Sequence, residues 1–369
     1  MKIDDRKPSL NLLILLLALL ALFIEMGVEL ARLGWLAPSF QGQASLSYDP
    51  ILISGFLGTL IFLERAITRK QNWIYTAPIL SGFGTLMLIL FPGSLAGLVM
   101  VSLASLAAVG VLTVNLRQEG HVYTITMGLG ALAWFTGNLL WLHGWSLQRV
   151  IFWWAAFLIL AISGERLELS RKVRRPSMFQ YQLLGLTTCI LLGGVVLTGQ
   201  DQSLGAPLAG FGMIALAAWL VRYDAARSNV NNPSSLTRYM ATCVLVGYCW
   251  LAAGGLISLY YSSISASLFF DGIFYSIFLG FVFSMIFGQT PNVLQTVLGL
   301  PLKFMKLFYL PLGLLHASLL LWIGSDMASW QPGVHWGGLI NQLAILLFLG
   351  MMFLAFRRAV LKSELAGSM

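Results

Sequence analysis

Few side chains in this sequence could bind a metal ion or carry a proton. The 369 residues include four His and 14 Asp or Glu. His316 lies well inside an apolar stretch, whereas His143 and His335 lie at the ends of two others. Imidazole nitrogens bind haem iron, copper and zinc. The sequence therefore makes His316, His143 and His335 the candidate metal ligands.

Two acids and two phenols accompany these histidines. Tyr48 and Asp49 precede one apolar stretch, and Asp271 and Tyr275 lie at the start of another. Ionisable groups inside a membrane are costly and are functional candidates by default. We therefore expect His316, Asp271, Tyr275, Tyr48 and Asp49 to form a cofactor-binding site at one end of their helices.

Each candidate also has a structural alternative. Asp271 could cap the N-terminus of its helix. His143 and His335 could lie at a membrane interface with the neighbouring tryptophans. A buried His316 could form a hydrogen bond between helices instead of binding a metal.

A second group consists of two adjacent acid–base pairs, Glu64-Arg65 and Glu165-Arg166. Neighbouring residues on a helix do not face each other, so each side chain should bond to a different helix. The favoured interpretation is a set of structural ion pairs between helix ends. The alternative is an entry path for protons.

The composition shows which kind of structure must position these residues. Hydrophobic residues make up 58% of the chain and charged residues 10%, whereas soluble proteins carry about 25% charged residues. The chain is therefore predicted to be an all-α polytopic membrane protein. Its apolar runs are too long and too continuous for the strands of a barrel. No nucleotide-binding glycine loop occurs, which argues against an ATP-driven pump.

Twelve stretches are long enough to cross a bilayer, which takes about 20 residues. They run approximately over 9–30, 50–67, 73–91, 93–115, 122–143, 146–165, 180–199, 204–222, 235–262, 266–288, 301–324 and 335–356. The first exceeds the apolar core of a signal peptide, so we expect it to stay as a span.

The basic residues indicate an orientation. With twelve alternating spans, all of the 22 Lys and Arg residues except Arg32 and Arg149 fall on one side. Cytoplasmic loops collect Lys and Arg, so both termini are predicted to be cytoplasmic and the cofactor site to lie in the outer half. The net charge of +8 then reflects topology and attraction to anionic lipids, and no nucleic-acid partner is implied.

The chain is predicted to be a single integral membrane domain over residues 1–369. A long basic loop divides it into halves 1–170 and 175–369. A faint repeat suggests another division, into three groups of four helices as in haem–copper oxidase core subunits. It joins FLGTLIFLER from Phe56, FLILAISGER from Phe157 and FLGFVFSMIF from Phe278, on every fourth span. Chance similarity between apolar helices is the alternative.

Several stretches resemble the NnrS-like family of polytopic membrane proteins. They are DPILISGFLGTLIFLERAI from Asp49, TMGLGALAWFTGNLLW from Thr126, FWWAAFLILAISGERLELSR from Phe152, FYSIFLGFVFSMIFGQTP from Phe274 and FYLPLGLLHASLLL from Phe308. The resemblance implies a protein of the bacterial cytoplasmic (inner) membrane that holds haem or copper. It also implies a link to nitric oxide or redox stress.

The chain departs from that family at several histidines. Similar proteins carry histidine where this sequence has Tyr48 or Asp49, Tyr275, and Gln289, whereas His316 is retained. Tyrosine seldom binds haem iron, and glutamine is a poor ligand for copper. If the family binds its metal through those positions, this chain has no cofactor or only the remnant of its site.

Three functions remain open from the sequence. The first is an NnrS-like protein with haem or copper at the His316 site. The second is a twelve-span secondary transporter, and the third is an accessory or structural subunit of a membrane complex or a homo-oligomer. No pattern of catalytic residues assigns a reaction.

Overall fold

The computed structural model describes residues 8–35, 50–69, 71–173, 176–260, 266–298 and 304–367. The described part contains twelve helices long and apolar enough to cross a membrane. They are α1 (Pro8–Arg32), α2 (Ile51–Gly58 continued by Thr59–Arg69), α3 (Thr76–Leu90), α4 (Leu95–Glu119), α5 (Val122–Leu142), α6 (Leu147–Val173), α7 (Met178–Thr198), α8 (Gln202–Tyr223), α9 (Ser235–Leu259), α10 (Ala266–Phe274, Tyr275–Val282 and Phe283–Leu298), α11 (Tyr309–Met327) and α12 (Gln331–Gly367).

These helices confirm the predicted fold class. The apolar spans are 19 to 28 residues long, which matches the roughly 20 residues that a bilayer core requires. No strand occurs in the ranges given above. The chain is an all-α polytopic membrane protein with twelve spans.

Short polar signals set the ends of the helices. The Ser94 hydroxyl accepts a hydrogen bond from the Gly97 amide at the start of α4. Ser177 and Gln180 form a reciprocal capping box at the start of α7. Gly93 and Gly120 have φ values of +76° and +61°, which other residues adopt at a cost. The turns before and after α4 therefore depend on glycine.

The chain divides into two compact units. Unit 1 is Met1–Glu168 and unit 2 is Leu169–Met369. Unit 1 thus contains α1 to α5 and most of α6, and unit 2 contains α7 to α12.

Three helices are more buried than the rest. Of the most apolar window in each span, 67% is buried in α2, 72% in α6 and 83% in α10, against 33–56% in the other nine described spans. These are the helices that carry the faint sequence repeat. A helix that is apolar on all sides and buried packs against other helices on most of its surface, and this describes each of these three helices.

Both α2 and α10 contain a π-helical segment, at Ile51–Gly58 and Tyr275–Val282. Such wide turns are rare and occur often at functional sites. Ser54 and Gly58 in the first segment have the same spacing as Ser276 and Gly280 in the second. The two segments therefore occupy the same place in the repeat.

Glycines bring α7, α8 and α9 into backbone contact in unit 2. A Cβ atom on Gly210 would lie 2.5 Å from the Gly255 carbonyl oxygen, and one on Gly255 would lie 2.7 Å from the Gly210 oxygen. A Cβ on Gly194 of α7 would lie 2.2 Å from the Ala209 nitrogen in α8. Small residues permit this approach in membranes, so α7 to α9 pack as one layer.

Candidate functional site

His316 lies near the middle of the Lys306–Met327 span, on α11. The indole nitrogen of Trp250, on α9, donates a hydrogen bond to Nδ1 of His316 at 2.9 Å. The two rings are nearly parallel, with centroids 6.3 Å apart and an interplanar angle of 22°. The bond therefore fixes both the position and the plane of the imidazole.

Trp250 is in turn held by the π-helical segment of α10. A Cβ atom on Gly280 would lie 2.5 to 2.8 Å from three Trp250 atoms, so the indole packs directly on the α10 backbone. Trp250 is only 7% exposed. Glycine at position 280 is thus what allows the indole to lie where it can reach His316.

The other imidazole nitrogen, Nε2, is buried and has no hydrogen-bond partner among the described residues. An indole N–H can only donate, so Nδ1 of His316 must carry a lone pair. This excludes both the imidazolium and the Nδ1–H form. The ring is therefore neutral, and its proton is on Nε2, where it is available as a donor.

Ser276 supplies a second unused polar group in the same π-helical segment. It is fully buried, and no described residue bonds its hydroxyl. A Cβ atom on Gly254 would lie 3.4 Å from Cβ of Ser276, which places Ser276 against α9 one turn beyond Trp250. The imidazole and the hydroxyl thus flank one stretch of α9.

The structure places the other predicted cofactor residues differently. The Tyr275 ring packs on Trp322, with centroids 3.9 Å apart, and Trp322 lies nearly two turns after His316 on α11. Asp271 is half-buried one turn before Tyr275. Tyr48 and Asp49 lie outside the described residues. His316 and Tyr275 therefore contact two different tryptophans.

The remaining histidines lie at helix ends. His143 follows α5 and is exposed, and its Nδ1 lies 2.7 Å from the Leu139 carbonyl oxygen. His335 is exposed in the first two turns of α12. Within the described ranges, no group of three or more His, Cys, Asp or Glu could hold a metal ion.

The described bonds of His316 differ from those of a usual metal-binding histidine. A histidine that binds a metal through one nitrogen usually donates the other N–H to an acceptor. In His316 the arrangement is reversed, because Nδ1 accepts from Trp250 and Nε2 keeps its proton. Nε2 then has no lone pair for a metal while the bond to Trp250 persists.

Charged residues cluster at one end of unit 1. Arg65 lies 3.6 Å from the Glu168 carboxylate and also contacts the sulfur of Met127. Glu64 lies within electrostatic range of Glu165 and Glu168. Arg65 thus pairs with an acid that the sequence did not single out, and this pair joins α2 to α6.

A second ion pair joins α2 to α4. Arg69 binds Glu119, and the Tyr123 hydroxyl donates to the same carboxylate at 2.7 Å. Arg166, the neighbour of Glu165, is buried. Of the four predicted residues, Arg65 therefore forms an ion pair between two helices, and Glu64 lies within electrostatic range of Glu165.

The sequence reasoning missed Trp250 and Ser276. The sequence repeat contains a pattern that could have identified both residues. Tyr123, Thr126 and Trp134 on α5 recur at the same spacing as Tyr239, Thr242 and Trp250 on α9. Together with the match between Ser54 and Ser276, this pattern marks the tryptophan and the serine that each π-helical segment contacts or contains.

Comparison with known proteins gives a family without a function. The profile of a family described as a domain of unknown function, DUF8744, matches residues 11–357. Neither a curated protein nor a solved structure matches the chain significantly. Because the match spans nearly all of the twelve helices, the chain belongs to the DUF8744 family.

Proposed function

We propose that the chain is a secondary transporter that binds a small polar solute inside the membrane-spanning part of unit 2. The observation that carries this proposal is the pair of buried polar groups at Nε2 of His316 and Oγ of Ser276, which no described residue satisfies. A polar group left without a partner in an apolar interior costs about 1–3 kcal/mol. A solute that bonds to these groups would recover that energy.

The helix architecture supports the same proposal. Transporters commonly contain internal repeats, and their substrates bind near the middle of the bilayer at irregular helices. Here the irregular segments of α2 and α10 occupy the same place in a repeat. His316 lies close to the middle of its span, and its partner Trp250 packs on the irregular segment of α10.

Uptake measurements test the proposal. The purified chain is first screened by thermal unfolding against a panel of small carboxylic acids, amides and sugars. Any compound that stabilises it is then offered, radiolabelled, to proteoliposomes. We expect accumulation that His316→Ala and Ser276→Ala each reduce at least tenfold.

His143→Ala is the matched control, since His143 is exposed and lies after the end of α5. It should leave both uptake and stabilisation unchanged. The proposal is wrong if no compound stabilises the wild type, or if stabilising compounds are not transported.

The rival proposal is an NnrS-like protein that holds haem or copper. It would need ligands beyond His316, and two of its predicted residues, Tyr48 and Asp49, lie outside the described part. An absorption spectrum and metal analysis of the purified chain decide it. A haem band or bound copper lost in His316→Ala would favour this function over transport. A role as an accessory subunit would instead appear as co-purification with a partner at fixed stoichiometry.

The proposed orientation places both termini in the cytoplasm of a bacterial cell. It is supported by the concentration of Lys and Arg on one side of the twelve spans. A peptide tag inserted between Gln200 and Asp201, in the turn between α7 and α8, should react with an impermeant reagent in cells whose outer envelope admits it. A tag that reacts only after the inner membrane is opened would reverse the orientation.

A further inference from the structure

We infer that Trp250 is a positioning residue that locks His316 as an Nε2–H donor, so that this nitrogen binds solute atoms bearing a lone pair and does not bind metal ions or ammonium groups. This inference deepens the proposed function, because it names the chemical class of the solute. It depends on the hydrogen bond between the two side chains and on what holds each of them.

Trp250 fixes the tautomer of His316 because its indole can donate a hydrogen bond but cannot accept one. Trp250 has a single polar hydrogen and no acceptor, and its nitrogen lies 2.9 Å from Nδ1 of His316. Moving the imidazole proton to Nδ1 would place two hydrogens against each other. The tautomer can therefore change only if the two rings separate or the imidazole turns away from the indole.

The surroundings of the indole oppose a movement of this ring. The α10 backbone at Gly280 lies against one part of the ring, where even a Cβ atom would come within 2.5 Å. The side chain is almost fully buried. Rotating Trp250 would require α9 and α10 to separate, so the packing between these helices maintains the tautomer.

The consequence is a site with defined polarity. Nε2–H of His316 offers a donor, and Ser276, which can also donate, lies one turn further along the same face of α9. A carbonyl or carboxylate oxygen could accept from either group. At Nε2 of His316, a divalent metal ion would find a proton where it needs a lone pair, and an ammonium group would meet another donor. An ammonium group could therefore bond only to the Ser276 oxygen.

Nitrogen NMR of the full-length chain in detergent micelles tests the lock directly. Histidine-labelled protein gives ¹⁵N resonances that distinguish protonated from unprotonated imidazole nitrogens, and His316→Gln identifies those of residue 316. At pH 7 we expect a neutral ring with the proton on Nε2. In Trp250→Phe, which keeps an aromatic ring but removes the donor, we expect a mixture of both tautomers.

Two small probes then test the polarity. N,N-Dimethylacetamide, which can only accept, should shift the Nε2 resonance of the wild type, and methylammonium, which can only donate, should not. His143, whose resonances serve as the internal reference, should respond to neither. A larger response of Nε2 to methylammonium would overturn the assigned solute class.

The tautomer result stands apart from the transport result. A wild-type ring with its proton on Nδ1, or an imidazolium, would overturn the inference even if uptake is observed. An unchanged Nε2–H form in Trp250→Phe would remove the role of Trp250.

If that variant does not fold, the indole proton of Trp250 in the wild type is measured instead. It should resonate downfield and lose that shift in His316→Gln, and a normal position would contradict the bond. Absence of uptake with a locked tautomer would refute transport alone.

Discussion

The two π-helical segments have a matching glycine, serine and neighbouring tryptophan, but the tryptophan forms a different hydrogen bond in each. In unit 1, Trp134 packs on Gly58, and its indole donates to the Ser54 hydroxyl at 3.1 Å within the same segment. In unit 2, Trp250 packs on Gly280, but its indole donates to His316 on α11. The serine that matches Ser54 is Ser276, and no described residue bonds it.

The first arrangement is closed by further contacts. The Ser54 carbonyl accepts from the hydroxyls of Ser81 and Thr59 at 2.6 and 3.3 Å. Trp134 stacks between Phe62 and Phe157, with centroids 5.6 and 4.8 Å away. The Ser54 hydroxyl in unit 1 is thus bonded to Trp134, whereas the matching Ser276 hydroxyl in unit 2 has no described partner. Thr85, which lies beside the first segment at Gly55, also has a hydroxyl without a described partner. The difference teaches that an irregular helix marks a place where a site can exist, and that the neighbouring side chains decide whether it does.

Two asparagines repeat this contrast. Asn138 on α5 donates to Ser105 at 3.1 Å, and its oxygen accepts from Trp154 at 3.0 Å. Asn341 on α12 donates to Ser318 at 3.1 Å in the same way, but its buried oxygen has no described partner. Unit 2 again leaves an acceptor free where unit 1 satisfies it.

Removing each tryptophan should give the largest difference. Trp134→Ala should lower the free energy of unfolding by about 3–5 kcal/mol, because it empties a stacked core position. Trp250→Ala should cost less stability, because the described contacts stack Trp250 only with His316. Thermal unfolding in detergent, followed by circular dichroism, measures both. Equal losses of unfolding free energy in the two variants would contradict the proposed difference between the two segments.

Adding one methyl group to each glycine should give the next largest effect. Gly58→Ala and Gly280→Ala place a Cβ within 2.6 and 2.5 Å of the tryptophan rings, and such overpacking typically costs about 1–3 kcal/mol. Gly280→Ala should also weaken binding of any stabilising solute, whereas Gly58→Ala should not. Gly193→Ala, where nothing lies within 4 Å of the added Cβ, is the control and should unfold like the wild type.

The asparagines should differ by a smaller amount. Asn138→Ala leaves the buried Trp154 N–H without its acceptor, which should cost about 1–3 kcal/mol. Asn341→Ala leaves no tryptophan unpaired and removes an unsatisfied oxygen, so its loss should be smaller. The unfolding midpoint in denaturant gives both values. A greater loss for Asn341→Ala would show that its oxygen has a structural partner after all.

The serines should show the smallest change in stability and the clearest change in binding. Ser54→Ala should cost about 1 kcal/mol because the Trp134 bond is lost. Ser276→Ala should leave the stability nearly unchanged, because it removes a buried hydroxyl that no described residue bonds, while it reduces solute binding. A Ser276→Ala variant that binds normally but unfolds early would assign this serine to the fold.

Hydropathy was sufficient to predict the twelve spans and the fold class, because the bilayer imposes one length and one polarity on every span. It could not predict the bonds of His316. In a uniformly apolar helix, the face that meets lipid and the face that meets protein have similar side chains. The partner of Arg65 was missed for a related reason, since the sequence shows which residues lie at a helix end but not which helix end is adjacent. The hydropathy pattern also did not predict the π-helical turns, which lie where tryptophans from α5 and α9 pack on Gly58 and Gly280.

The glycine contacts among α7, α8 and α9 limit how unit 2 could open. Helices whose backbones touch at Gly210 and Gly255 cannot slide past one another without a clash. This block carries the indole, while the imidazole belongs to α11 on a separate helical pair with α12. A movement of this block relative to α11 and α12 would separate these two rings, and His316 would be free to change its tautomer in the separated state. Fast exchange between the separated and the bonded state would make the nitrogen signals of His316 the population-weighted average of the two states.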